Sequence, residues 1–416
     1  MKVYIEVYGC TANKSDASLI KGLLLKNDYK IVNDIGNADL LIILTCTVID
    51  TTQQRMISRL KVFKNTGKKI IVSGCMASVQ KEIIKRILPA ALILPPRYTY
   101  QIVDLINNKK LNFIELDKTN FPKYYSDISA PISISEGCMF SCSYCITSIA
   151  RGKLRSYPID EIKDEVINAI KMGCREIQLT SQDTASYGLE QNYTLGDLLL
   201  SLSDIKGRYK IRVGMMNPHT LMNDFDKIIK GYENSKIYKF LHLPVQSGDN
   251  EVLEKMNRKY RIDDFIRIVK NFKDKFADST ISTDIIVGFP SESEEQFENT
   301  VKILNKVKPD ITNITRYSAR PYTEAKKLKG RIKTEIVKQR STKLTELCKK
   351  ISYERNKRLI GKEYKVMIIK HAKNNSSFGR ADNYKPVVID KKIKISKIVN
   401  VKIDDASSNY LVGSII

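Results

Sequence analysis

Residues 136–145 read Glu136-Gly137-Cys138-Met139-Phe140-Ser141-Cys142-Ser143-Tyr144-Cys145, a C-x3-C-x2-C spacing placed directly after a strand-like run. Three thiolates on one loop can hold three irons of a [4Fe–4S] cube. Such cubes normally take four cysteines, so a missing fourth ligand leaves one iron open to a substrate. A structural zinc site is the competing reading. Zinc prefers four closed ligands, and neither a His nor a fourth Cys lies close by in the sequence.

The chain has eight cysteines, and Cys10, Cys46 and Cys75 form a second constellation. Each falls just past the carboxyl end of an expected strand, the edge where parallel sheets bind ligands. Three loops from separate strands can therefore gather three thiolates, although three small buried side chains would look the same. Cys174 precedes a strand and Cys348 lies in a basic helix, and both read as packing residues. With three His in all (His219, His242, His371), a His-dominated metal site has little to draw on.

The elements that must position these thiols follow from the apolar pattern. Strands are expected at 2–8, 39–45 and 69–73, and helices at 16–26, 51–65 and 78–87, a βαβαβα rhythm that implies a doubly wound parallel sheet. Residues 118–131 are polar, contain two prolines and read as a linker. Six further strands, near 132–136, 176–181, 210–215, 238–244, 282–288 and 311–317, alternate with helices. They suit an open partial (β/α)6 barrel with its active residues on the carboxyl-edge loops. A basic amphipathic helix is expected over 335–360, with Ile336, Leu344, Leu347 and Ile351 on one face. Short alternating segments at 362–370, 385–390, 393–398, 400–403 and 410–416 suggest a small β-barrel. The expected organisation is an N-terminal domain over 1–117, a linker over 118–131, a central domain over 132–352 and a terminal domain over 353–416.

The 416 residues carry 70 Lys plus Arg against 46 Asp plus Glu, a formal charge of +24. That excess favours a polyanionic partner, because neutralising phosphates releases counterions. From Tyr353 to Ile416 there are 14 Lys/Arg and 6 Asp/Glu, so the terminal segment shares in it. The apolar run Leu40–Leu44 is far short of the roughly 20 residues a membrane helix needs. The start, MKVYIEVYGC, has no secretory pattern. A cytoplasmic protein without membrane contact is expected, in which clustered cysteines read as cluster ligands before disulfides.

The C-x3-C-x2-C spacing, with Phe140 and Tyr144 at its aromatic positions, resembles the radical S-adenosylmethionine (SAM) superfamily. Joined to three cysteines in an N-terminal domain and to a basic terminal barrel resembling the RNA-binding TRAM domain, it resembles the methylthiotransferase family nearly end to end. The subgroup it looks most similar to is the archaeal and eukaryotic-type threonylcarbamoyladenosine tRNA methylthiotransferases. The stretches that carry this are LTSQDTASYG (179–188), RVGMMNPH (212–219), FLHLPVQSGDNEVLEKMNRKY (240–260), DIIVGFPSESEEQF (284–297) and RYSARPYTEA (316–325). One departure is PYT at Pro321–Thr323, where the family pattern has PGT; Tyr there costs backbone freedom.

The resemblance implies two [4Fe–4S] clusters. One, on Cys138, Cys142 and Cys145, would bind and cleave SAM to a 5′-deoxyadenosyl radical. The other, on Cys10, Cys46 and Cys75, would carry the sulfur, and a second SAM would donate the methyl group. The implied reaction places a methylthio group on C2 of threonylcarbamoyladenosine at position 37, next to the anticodon. Ser181, Gln182, Asp183, Asn217, Gln246, Ser247, Gly288 and Pro290 are candidates for SAM contacts by their place at the barrel mouth, with ordinary loop or capping roles the alternative. Arg355, Lys357, Arg358, Phe378 and Arg380 are candidates to grip RNA phosphates and stack on a base. The expected partners are tRNA, a low-potential electron donor and a sulfur source, and the expected state is a monomer. Competing readings are an isopentenyladenosine or ribosomal-protein aspartate target, and a non-enzymatic RNA-binding protein stabilised by metal.

Overall fold

The structure is a computed structural model describing Met1–Ile416. Its N-terminal sheet comprises β1 (Lys2–Val7), β2 (Lys30–Val32), β3 (Leu40–Thr45), β4 (Lys69–Gly74) and β5 (Leu92–Leu94), all parallel, in the order β2-β1-β3-β4-β5. The central strand, LLIILT, is buried on both faces. Leu40, Ile42 and Leu44 meet the helix Thr11–Lys26 through Leu19, Ile20, Leu23 and Leu24. Leu41 and Ile43 meet the helix Asp50–Lys64 through Met56, Leu60 and Phe63. This period-2 division of one apolar run is what a doubly covered parallel strand requires. The expected strands and helices of this domain are present, and the three-residue β2 and β5 extend its edges.

The central domain holds six parallel strands: β6 (Ser129–Ser133), β9 (Glu176–Thr180), β10 (Lys210–Arg212), β11 (Phe240–His242), β12 (Thr280–Val287) and β13 (Ile311–Arg316). They form two sheets, β10-β9-β6 and β11-β12-β13, joined by bridges Ile211↔Ile237 and Met215↔His242 into one open curve. A short antiparallel pair, β7 (Ser135–Glu136) and β8 (Arg155–Ser156), braces the segment leading into the cysteine loop. Ile132, Ile177, Leu179, Ile211, Leu241 and Ile281 form the core with helical residues such as Leu198, Phe265 and Phe272. This is the partial barrel expected.

The segment expected as a linker is anchored on both sides. Lys118 Nζ reaches Asp16 Oδ1 at 2.7 Å and Glu136 Oε2 at 2.6 Å, and Lys123 pairs with Glu165, which also accepts from Tyr125 Oη at 2.6 Å. Both lysines are buried. The helix Thr334–Lys357 carries Leu344, Cys348 and Ile351 into the central core, and the expected boundary at 352/353 falls inside it. Ile336, expected on that face, is 37% exposed. The helix is about 36 Å long at ~1.5 Å per residue, whereas β13 is about 20 Å long, so the first helical turn runs past β13 to the end of β12, where Val337 packs over Gly288 while Ile336 faces out.

The terminal domain is a closed barrel of β14 (Glu363–His371), β15 (Ser377–Ala381), β16 (Pro386–Ile389), β17 (Ile398–Ala406) and β18 (Leu411–Ile415), ordered β14-β15-β16-β18-β17. Two expectations are corrected here. Ser377–Ala381, outside the expected strands, is a strand, and of 393–398, expected as a strand, only Ile398 is in one, as the first residue of β17. Ile393 is drawn into the barrel, its N–H donating to Ser377 Oγ at 2.9 Å, while Ile395 and Ile398, the latter at the head of β17, stay exposed.

The terminal barrel docks on the amino edge of the central strands. Tyr384 packs on Tyr238 and Phe240 with ring centroids 4.9 and 4.8 Å away, Lys239 N donates to Asp382 O at 2.9 Å, and Asn383 Nδ2 donates to Asp278 O at 3.1 Å. Asp310, just before β13, receives Lys385 at 2.9 Å and Arg355 at 3.1 Å. Burial pushes the Asp310 carboxyl up, but Lys385 and Arg355 more than reverse this and hold it below its ordinary 3.8. Asp16 at the N-terminal junction is likewise held below 3.8 by Arg151 and Lys118 against its burial. A depressed carboxyl contributes stability that is full above the unfolded group's pKa and is lost as pH falls through the folded one. Both junctions are therefore expected to hold from neutrality down to about pH 4 and to loosen below it. Limited proteolysis across that range should then release the domains, and unchanged cleavage at pH 3 would contradict it. No helix is long and apolar enough to cross a membrane.

Candidate active site

The Cys138–Cys145 loop runs from β7 to the helix Ile146–Arg151, and its backbone is fixed from two sides. Gly137 N donates to Gln182 Oε1 at 2.7 Å, and Ser143 N donates to Met256 O at 3.1 Å. Ser143 Oγ donates to Lys255 O at 2.8 Å and Asn257 Nδ2 to Ser141 O at 2.9 Å, so the MNRKY stretch wraps the loop. Two donors point at sulfur: Phe140 N to Cys138 Sγ and Arg258 Nη1 to Cys142 Sγ, each at 3.4 Å. Arg258 also lies over the Tyr260 ring, 5.0 Å from its centroid. Burial pushes the Cys138 thiol up to about 12, with Asp183 adding to it. Burial, and then Cys142, raises Cys145. A cationic Arg258 donating to the Cys142 sulfur suits a metal-ligating thiolate.

The mouth residues are placed as follows. Ser181 follows β9, buried, and its Oγ has no hydrogen-bond partner. Gln182 holds Gly137. Asp183 accepts from Asn217 N at 2.9 Å, Thr220 Oγ1 at 2.8 Å and Ala185 N at 3.2 Å, and burial pushes its carboxyl up to about 6. Asn217 Oδ1 caps the helix Pro218–Asn223 through His219 N, and the His219 ring stands edge-on to Phe140. Gln246 has a left-handed backbone (φ +69°) and bridges to Ile285. Ser247 is fully buried, its Oγ accepting from Asp249 N at 3.2 Å. Gly288 N donates to Glu292 Oε2 at 2.9 Å, and Pro290 is buried beyond it. Gln182, Asp183 and Asn217 thus converge beside the cysteine loop, whereas Ser247 and Gly288 are engaged in local structure.

The second constellation sits where the N-terminal strand order reverses, between β1 and β3, the usual binding crevice of such sheets. Register brings the strand ends level: Val7 pairs with Leu44, and Thr45 with Gly74. Cys46 and Cys75 therefore leave adjacent strands together. Gly74 has φ +83°, and a Cβ there would lie 2.2 Å from Thr45 O, so only glycine permits this approach. Asn13 Nδ2 donates to Tyr8 O at 2.7 Å and Thr45 O at 2.9 Å, tying the Cys10 loop to the Cys46 loop. Burial pushes Cys75 up to about 11; the Arg151 charge opposes this, while Cys10 and Cys46 add to it.

Arg151 and Arg320 flank this set, and the sequence reading singled out neither. Arg151 is buried and donates to Asn13 Oδ1 and Asp16 Oδ2, each at 2.8 Å, and to Glu136 Oε1 at 2.9 Å. Its helix starts right after Cys145 and lies against the helix Cys75–Val79, so the two cysteine sets adjoin across this contact. Arg320, buried, donates to Thr47 Oγ1 at 2.8 Å and to Gln53. Arg151 Nε, Arg320 Nε and Ser73 Oγ are buried without partners. Unsatisfied donors beside three thiols fit an anionic occupant. In neither set do three side chains close around a point tightly enough for one metal ion. Three thiols in each set, with no fourth ligand to close a zinc site, are the donor chemistry a cube with one open iron would take.

Of the RNA candidates, Lys357 and Arg358 are exposed, while Arg355 is committed to Asp310. Phe378 lies on a strand beneath Lys370 and Arg380, and Arg380 also covers Tyr384 and donates to its carbonyl at 3.2 Å.

Comparison with known proteins places these domains. Residues 132–304 match the radical SAM superfamily, 2–94 match an uncharacterized protein family, UPF0004, and 357–416 match the TRAM domain. The chain is 42% identical to the "Probable threonylcarbamoyladenosine tRNA methylthiotransferase" of Archaeoglobus fulgidus, covering 100% of this chain and 99% of that one. It is 34% identical to the tRNA-2-methylthio-N(6)-dimethylallyladenosine synthase of Sulfurimonas denitrificans (100% and 99% covered) and 31% identical to the human threonylcarbamoyladenosine tRNA methylthiotransferase (99% and 73%). Among solved structures, a radical SAM methyltransferase from Kitasatospora setae shares the fold at TM-score 0.59 and 12% identity, over 78% of this chain and 76% of that one. The three matched domains in this order, with full-length identity of this size, show that the chain belongs to the radical SAM methylthiotransferase family, alongside the threonylcarbamoyladenosine tRNA methylthiotransferases.

Proposed function

We propose that this protein converts N6-threonylcarbamoyladenosine next to the tRNA anticodon into its 2-methylthio derivative, using one SAM as radical source and another as methyl donor. The observation that carries this reading is the Arg151 junction, which sets Cys138, Cys142 and Cys145 beside Cys10, Cys46 and Cys75. The full-length similarity to enzymes named for this nucleoside supports the choice of substrate. The radical SAM match implies SAM and one [4Fe–4S] cluster on Cys138, Cys142 and Cys145, and a second cluster on the N-terminal cysteines is the further step. When bound, the first supplies the electron that splits the SAM sulfonium and the second an open iron for sulfur.

The chain's own groups have separable tasks. Arg258 and the Phe140 N–H support the thiolates of the first set, as outer hydrogen bonds commonly do at metal sites. The free Ser181 Oγ, with Gln182, Asp183 and Asn217 around it, forms a polar wall suited to the amine, carboxylate and ribose of SAM. Gln246, Ser247, Gly288 and Pro290 shape the rest of the mouth through their backbone. Lys357 and Arg358 offer cations to RNA, and Phe378 and Arg380 on β15 offer a ring and a further cation. The reading includes a cytoplasmic place and an electron donor and sulfur source of unassigned identity. Oxygen-free reconstitution with iron, sulfide, SAM and threonylcarbamoyladenosine-containing tRNA, followed by mass spectrometry of nucleosides, should yield the 2-methylthio product. Product on isopentenyladenosine tRNA or a ribosomal protein alone would move the substrate, and none on any would overturn the reading.

A further inference from the structure

The turn Arg320–Thr323 stands between the two cysteine loops. Arg320 is buried and bonded to Thr47, next to Cys46; Ser318 Oγ accepts from Asp50 N at 3.0 Å in the same region. On its other side Ala325 N donates to Ser143 O at 2.7 Å, inside the Cys142–Cys145 span. The turn closes on itself, with Thr323 N and Oγ1 both donating to Arg320 O at 3.4 and 2.8 Å. Pro321 is second in it and Tyr322 third, with φ +65°. A β-turn with proline second and a left-handed third residue takes glycine there without strain. Tyrosine in that conformation is strained, and the ring recovers none of it by packing, since Tyr322 is 69% exposed. Strain kept in a turn locked at both ends, with an aromatic ring turned to solvent, points to a ligand. The neighbouring loops also turn apolar side chains outward: Val48, two residues past Cys46, and Met139, next to Cys138, are both exposed.

We propose that Tyr322 is a substrate-positioning residue whose ring stacks on a purine base of the RNA loop brought between the two cysteine sets. The inference rests on the RNA reading above. Aromatic faces hold unstacked bases in this way without reading their edges, and the locked turn fixes the backbone that carries the ring.

The test uses the reconstituted full-length protein with an anticodon stem-loop RNA. Tyr322→Gly is expected to raise the thermal midpoint, because the strain goes, yet to raise KM for RNA about tenfold, the scale of one lost stack. SAM cleavage without RNA should stay within about twofold, since no cysteine contact changes, and Tyr322→Phe should retain the parent KM. The chain contains no tryptophan, so Tyr322→Trp introduces a single indole whose emission should be quenched as the RNA is added. A parent protein that modifies the RNA, with Tyr322→Gly at unchanged KM and Tyr322→Trp emission indifferent to RNA, overturns the stacking role alone. A parent that cleaves SAM but neither binds nor modifies RNA overturns the substrate reading, and this inference with it.

Discussion

Cys138→Ala protein, reconstituted without oxygen and reduced with dithionite, is expected to release no 5′-deoxyadenosine and to carry about four irons fewer than the parent, one cube out of two. On the proposed reading Cys138 is the first of three ligands on a single loop, and its sulfur is the one that receives the Phe140 N–H. Removing it leaves two thiolates for a cluster that already lacks a fourth. The loop itself should survive, because Gln182, Lys255, Met256 and Asn257 hold its backbone independently of the sulfur. Unchanged iron content with SAM cleavage intact would refute the assignment of this loop. Cys10→Ala provides the contrast: it should remove iron in similar amount but leave SAM cleavage in place, because Cys10 belongs to the other sheet.

The second large effect belongs to Arg151. Its guanidinium and the Lys118 ammonium neutralise Asp16 and Glu136 in a site where all four side chains are nearly inaccessible to water. Removing one member of such a group leaves a buried charge uncompensated and costs about 3–5 kcal/mol. Arg151→Met is therefore expected to lower the denaturant midpoint by that much in free-energy terms and to expose the 118–131 segment to protease. Arg151→Lys should recover little, since an ammonium cannot span Asn13, Asp16 and Glu136 as the planar fork does. Pairing Arg151→Met with Glu136→Gln should restore part of the loss by removing the orphaned charge. A single substitution within about 0.5 kcal/mol of the parent would show that the quartet is not what joins the domains.

What was legible in the sequence follows the range of the interaction involved. β3 and β12 announce themselves because a strand's apolar run is local. The cysteine triplets were legible for the same kind of reason, one by spacing and the other by recurrence at strand ends. Lys118 and Lys123 were read as polar linker residues, because nothing near them reveals that their partners lie 102 and 42 residues away. Arg151 and Arg320 were invisible on the same ground: Asn13 and Asp16 for the one, Thr47 and Gln53 for the other, are acceptors on another domain. In the terminal barrel, the alternating isoleucines of 393–398 imitate a strand, whereas SFGRA, with glycine at its centre, does not resemble one. Gly379 is nonetheless required in that strand, since a Cβ there would meet Val366 Cγ1 at 2.4 Å.

The docking of the terminal barrel on the amino edge of the central strands sets a ruler. Both cysteine sets lie at the opposite edge, and the eight residues of β12 alone cover about 26 Å at ~3.3 Å each. An RNA held at the foot by Lys357 and Arg358 while its base reacts at the head must reach along the whole wall. On the proposed reading a folded stem meets that demand and a loose nucleotide does not, so reach would screen substrates before any base is inspected.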